Sequence, residues 1–152
     1  MASVFDVAKY ILQKTKAIST FKLQKLVYYS QVWSLIWDDK PLFNNKIYAW
    51  ANGPVCKELY DFHKGHFEIC HSNLTCGDEN CLSEQEIETI DVVIKSYNKY
   101  TAQELSEITH DEDPWKNARI GLSFGERGDK EITLDSIVEY YSSQYSKQIR
   151  NE

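Results

Sequence analysis

The amino-acid sequence predicts a mainly α fold, a compact single-domain helical bundle over residues 1–152 with a short β element around residues 45–51. Three observations carry that expectation. Apolar residues recur three and four positions apart in several segments, which lines them along one side of a helix. Ser83-Glu84-Gln85-Glu86 and Thr101-Ala102-Gln103-Glu104 each pair a hydroxyl with a Glu three residues on, the reciprocal cap that opens a helix. One stretch breaks the helical pattern: Lys46-Ile47-Tyr48-Ala49-Trp50 reads as a strand, and Asn52-Gly53 as a turn.

Taken in order, Val4, Val7, Ala8, Ile11 and Leu12 predict a first helix with Ser3 as its N-cap. Thr20 is the expected cap of a second helix whose apolar face holds Leu23, Leu26, Val27 and Trp33. Asp38-Asp39-Lys40-Pro41 ends it, because proline disfavours helix in the residue before it. Pro54 suits the first position of a third helix running through Val55, Leu59 and Phe62. Residues 65–82 are polar and Cys-containing and read as a loop. The Ser83 box opens a long helix with Ile87, Ile90, Ile94 and Tyr97 on one face, and the Thr101 box a short one ending near His110. Asp113-Pro114-Trp115 is a further start, with Asp113 as cap and proline following. Residues 121–128 are Gly-rich and read as a loop. Leu134, Ile137, Val138, Tyr141 and Tyr145 predict a last helix, with fraying from Lys147.

A hydrophobic content of 42% supports a real core, and 26% charged residues support solubility. No apolar run is long enough to cross a bilayer, and the first residues lack the pattern of a secretory signal, so the expected place is the cytosol and no membrane partner is expected. There the four Cys are expected as thiols or metal ligands. The net charge of −6 argues against a general nucleic-acid binder, yet residues 1–37 carry five Lys against Asp6 alone, a local +4.

The chemistry-bearing residues support binding better than catalysis. No P-loop, dinucleotide fingerprint or nucleophile elbow is present. His110-Asp111-Glu112-Asp113 sets a titratable ring beside three acids, but neighbours at a helix end serve capping more readily than acid–base work. His63, His66, Cys70, His71, Cys76 and Cys81 fall within a short span, and His66, Cys70, Cys76 and Cys81 make a conceivable zinc set. Their spacing is wider than the paired-Cys frameworks zinc uses, so no metal or other cofactor is expected. The first two helices have the outline of a helix-turn-helix, with Lys22 and Lys25 placed for phosphates and Gln24, Ser30 and Gln31 for bases; against this, the second helix looks like core, and DNA is not the favoured partner. Tyr28, Tyr29, Trp33, Trp37 and Trp50 offer anchors for a protein partner or fillers for a core.

Three blocks carry a resemblance. Lys22-Leu23-Gln24-Lys25-Leu26-Val27-Tyr28-Tyr29-Ser30-Gln31 resembles the first signature of the Panacea antitoxin domain, the family of SocA-like and GepA-like phage-associated proteins. Pro41-Leu42-Phe43, Ala49-Trp50-Ala51-Asn52-Gly53-Pro54-Val55 and Glu58-Leu59-Tyr60 resemble its second block. Tyr100-Thr101-Ala102-Gln103-Glu104-Leu105-Ser106, Thr109-His110, Pro114-Trp115 and Arg119 resemble its third. Asn52 stands where the family often has Tyr. The resemblance implies a mainly helical antitoxin that neutralises a cognate toxin directly; the leading expectation is that it does so as a non-enzyme, burying an aromatic and acidic surface in the complex. Two alternatives stand beside it: a proteolytic adaptor that hands the toxin to a ClpXP-type protease, which the resemblance also implies, and a DNA-binding autoregulator, which the basic region of residues 1–37 suggests. On this reading Lys22, Gln24, Lys25, Tyr28, Trp50, Gly53, Pro54, His110, Asp113, Trp115 and Arg119 bind the partner or fix the shape of the domain. His110 is expected to lock the corner where Trp115 packs, and Arg119 to pair with Asp111 or Glu112.

Overall fold

A computed structural model describes the backbone of residues 1–151 and the side chains of residues 1–144. The packing of Tyr145 lies outside the described side chains, and the backbone of the last helix continues past Lys147, where fraying is expected, to Asn151. The chain is mainly α: α1 (Val4–Thr15), α2 (Thr20–Trp37), α3 (Lys57–His63), α4 (Glu84–Tyr97), α5 (Ala102–His110), α6 (Asp113–Ala118) and α7 (Leu134–Asn151). Among the described residues five short strands accompany them: β1 (Ile18–Ser19), β2 (Ile47–Trp50), β3 (Gly53–Cys56), β4 (Glu68–Ile69) and β5 (Glu131–Ile132). β1 pairs antiparallel with β4, and β2 lies between β3 and β5 in an antiparallel sheet. Among the described residues no helix is long and apolar enough to cross a membrane.

The helix starts follow local chemistry. Ser3, Ser83 and Thr101 accept from the backbone three residues on, and Asp6, Glu86 and Glu104 reach back to the cap. The second helix departs from expectation by one residue. Ser19 is its cap, accepting from the Lys22 amide at 3.1 Å. Thr20 begins the helix, and its hydroxyl donates instead to the His66 carbonyl at 2.9 Å.

α2 is the hub, packed by α1, α4, α5, α7 and β3. Leu23, Leu26, Tyr29, Val32 and Ser34 are fully buried on different sides of it, so it lacks a polar face. Two glutamines seven residues apart turn this to use. Gln31 donates to the Phe43 carbonyl at 2.8 Å and accepts from the Leu42 amide at 2.7 Å. Gln24 donates to the Cys56 carbonyl at 3.2 Å and accepts from its amide at 2.9 Å. Each side-chain amide stands in for a neighbouring strand, satisfying backbone groups that burial leaves without water.

Three further expectations are corrected. Pro54 does not start a helix. It lies in β3 opposite Ala49, on an edge strand where a missing N–H costs no ladder bond, and α3 starts three residues later. Glu112, not Asp113, is the cap residue of α6, with Asp113 and Pro114 in its first turn. Leu134 and Val138 are 41% and 40% exposed, whereas Ile137 and Tyr141 are buried, so the buried stripe of α7 is narrower than its apolar one.

The 65–82 segment is more ordered than a plain loop. It holds β4 and two 3-10 turns, His71–Asn73 and Glu79–Cys81. His71 bonds Glu79 at 2.9 Å, and the Asp78 amide donates to Asp6 at 2.7 Å, which ties the segment to α1.

Candidate functional site

Two clusters contain most of the singled-out residues. The first is a clamp that fixes the β2–β3 hairpin against α5 and α6. The Trp115 indole donates to the Trp50 carbonyl at 2.8 Å, and the Arg119 guanidinium to the Ala49 carbonyl at 3.0 Å and to the Glu126 carbonyl. Arg119 lies over the Trp115 ring at 5.2 Å, and His110 stacks on the same ring at 3.9 Å. Ser106 donates to the Asn52 carbonyl at 2.7 Å and touches His110 Nε2 at 3.3 Å. His110 thus locks the Trp115 corner as the sequence suggests. Among the described residues Arg119 does not pair with Asp111 or Glu112: the residue, 6% exposed at the end of α6, reaches toward the hairpin, where backbone carbonyls take its donors.

Glu112 serves another network. Its carboxylate accepts from Tyr29 at 2.6 Å and Tyr141 at 2.7 Å, and Tyr28 meets Tyr141 at 3.1 Å. Burial pushes the Glu112 carboxyl above its usual range. Tyr28 is therefore a core residue joining α2 to α7. Lys22 also has an internal partner, donating to the Asn98 carbonyl at 2.7 Å.

The second cluster surrounds an open cleft of about 1080 Å³ between the N-terminal turn of α2, the β2–β3 hairpin, α3 with residues 64–67, and the 125–129 loop. Its aromatic lining includes Tyr48, Trp50 and Tyr60, the last two edge-on at 4.8 Å. Phe21 and Phe67 form another edge-on pair and are 47% and 72% exposed. His63 accepts from Gln24 at 3.0 Å, because Gln24 Oε1 is committed to Cys56, and burial lowers the ring's pKa in keeping with a neutral imidazole.

Lys25 reaches this cleft from α2. The residue is 1% exposed, and it has no hydrogen-bond or ion-pair partner among the described residues. Desolvation pulls its ammonium down to about 8. Gly53, at φ +127°, makes room for it: a Cβ there would lie 2.4 Å from Lys25 Cε. Gly53 combines the left-handed turn with the close approach, two tasks a side chain would obstruct.

The burial of α2 removes its helix-turn-helix reading. Gln24, Lys25, Ser30 and Gln31 are at most 3% exposed, so none can reach a base edge or phosphate from a groove. The conceivable zinc set is not assembled either. His66 lines the cleft, Cys70 contacts Ser72 and Asn73, Cys81 contacts Asp78, and Cys76 is exposed. Among the described residues no three His, Cys, Asp or Glu side chains are grouped to hold a metal ion.

Sequence reasoning missed most of the cleft. Phe21, Tyr60, His63, Phe67 and Arg127 line it, yet they lie in four segments with no shared local pattern. Only the basic stretch of residues 1–37 and Trp50 before Asn52-Gly53 hinted at it.

The fold and these two clusters define a helical domain with a clamped hairpin at the edge of a basic, aromatic cleft. The model of the family described as "Antitoxin SocA-like, Panacea domain" matches residues 23–116, more than half of the chain, and the chain belongs to that family. No curated protein and no solved structure matches it. The matched stretch contains Lys25, Trp50, Gly53 and the Trp115 end of the clamp. Phe21 and the 125–129 loop of the rim fall outside it.

Proposed function

We propose that this chain is an antitoxin that neutralises a cognate toxin in the cytosol by direct, stoichiometric protein–protein binding, with no bond made or broken on it. Membership of the antitoxin-like family supports the role. The observation that carries the mode of action is how the structure uses its reactive side chains. His110 is stacked on Trp115, His63 accepts from Gln24, and Glu112 holds two tyrosines, so these three acid–base candidates are spent on internal contacts and Lys25 is left facing the cleft. What stands free is a cleft with exposed aromatics at its rim, the composition of a protein-docking surface.

Co-expression with the product of the adjacent open reading frame tests this. That product arrests growth alone, growth returns when this chain is present, and the two co-purify as a defined complex. A harmless neighbour, or toxicity that persists beside this chain, refutes the reading. Rescue that vanishes when a ClpXP-type protease is deleted assigns neutralisation to delivery for degradation instead.

A further inference from the structure

We propose that the Lys25 cleft is the docking pocket for an acidic side chain of the toxin, whose carboxylate pairs with the Lys25 ammonium while an adjoining apolar side chain lies against the Phe21–Phe67 rim. The inference rests on the antitoxin reading and names the chemistry of its interface.

The floor of the cleft carries the argument. A lysine 1% exposed, with no internal counter-ion, is a charge stripped of most of its water with nothing in return. It lines the cleft. A carboxylate arriving there completes a desolvated ion pair, where attraction is far stronger than at a wet surface. The neighbouring polar groups are already committed: Gln24 to Cys56 and His63, and Thr109 to the Ser106 carbonyl at 2.8 Å. The floor therefore offers one point charge, which matches one carboxylate; phosphate groups draw on several converging donors.

The surroundings agree in sign. Lys64 and Arg127 add positive charge to the rim, Asp129 is its one acid, and Lys57 is balanced by Asp61 at 3.1 Å. This local excess sits on a chain of net charge −6. The rim rings give an apolar neighbour of the acid something to cover, so the pocket fits a short segment with an acidic and an apolar residue in succession.

The test compares the unaltered chain with Lys25→Met, which keeps the stem and removes the charge, by calorimetric titration with the purified toxin. Circular dichroism and thermal melting verify that the variant is folded. The expected result is a Kd raised about 30-fold or more. An acid-to-amide scan of the toxin then finds one position whose loss weakens the unaltered chain equally and Lys25→Met no further. Kd values within two-fold of each other overturn the docking pocket and leave the antitoxin reading standing. Failure of the unaltered chain to bind at all overturns both. Lys25-dependent binding of inorganic phosphate or a mononucleotide, with toxin affinity unchanged in Lys25→Met, assigns the cleft to a small anion and overturns the proposal.

Discussion

At the scale of single residues, Lys25 is a cost the fold carries. Burial without a partner disfavours the charged form, which is why the ammonium is held at about 8 rather than near 10.5. Lys25→Met is therefore expected to stabilise the free chain by about 1–3 kcal/mol, measured by urea denaturation at pH 7. The pH dependence has a definite sign. Below pH 8 folded and unfolded chains both hold the proton, and the full cost applies. Between 8 and 10.5 the unfolded chain binds more protons, so stability gained from Lys25 rises with pH. The advantage of Lys25→Met should shrink across that window and vanish above it. Comparing the two proteins cancels the tyrosines at positions 28, 29 and 141, which burial holds above their usual range in both. A constant difference from pH 7 to 11 would mean that the ammonium is not desolvated.

At the scale of elements, the clamp and the two glutamine splints hold the hairpin that forms one wall of the cleft. Trp115→Phe keeps an aromatic ring but deletes the donor to the Trp50 carbonyl and trims the buried side chain, an expected loss of about 2–3 kcal/mol of unfolding free energy by urea denaturation. Gln31→Ala strands the Leu42 amide and the Phe43 carbonyl in a buried setting, and is expected to cost about 2–4 kcal/mol. A loss below about 0.5 kcal/mol for Gln31→Ala, within the noise of such measurements, would show that water replaces the splint. These elements also show what a sequence discloses. Ser3, Ser83 and Thr101 were legible because a cap is settled within four residues. Pro54 was misread because its strand exists only through pairing with β2, and Asp113 because proline tolerates either of the first two positions of α6. The lysines and glutamines of α2 leave a helix-turn-helix outline open beside the core reading because periodicity cannot reveal a helix covered on every side. The cleft was hardest to foresee: Lys25 meets Gly53, and Phe21 meets Phe67, only after folding.

At the scale of the whole molecule, stability and function occupy different places. α2, enclosed by four helices and β3, can exchange its amide hydrogens only when the fold opens as a unit. The 64–67 and 125–129 segments are mostly exposed and tethered by few bonds, chiefly Thr20 to His66 and Arg119 to Glu126. They should exchange by local opening at a far lower free energy. Hydrogen-exchange mass spectrometry on the free chain should therefore show residues 23–35 as the slowest region and these two segments among the fastest. Toxin binding should slow exchange at 64–67, at 125–129 and in the first turn of α2, since docking over Lys25 covers all three. Residues 106–119 should change little, because the clamp is already closed before the partner arrives. Protection confined to the outer faces of α4 and α7, around Val92 and Val138, would instead place the toxin away from the cleft. The fold would then be carrying the unpaired charge on Lys25 for a purpose other than toxin contact.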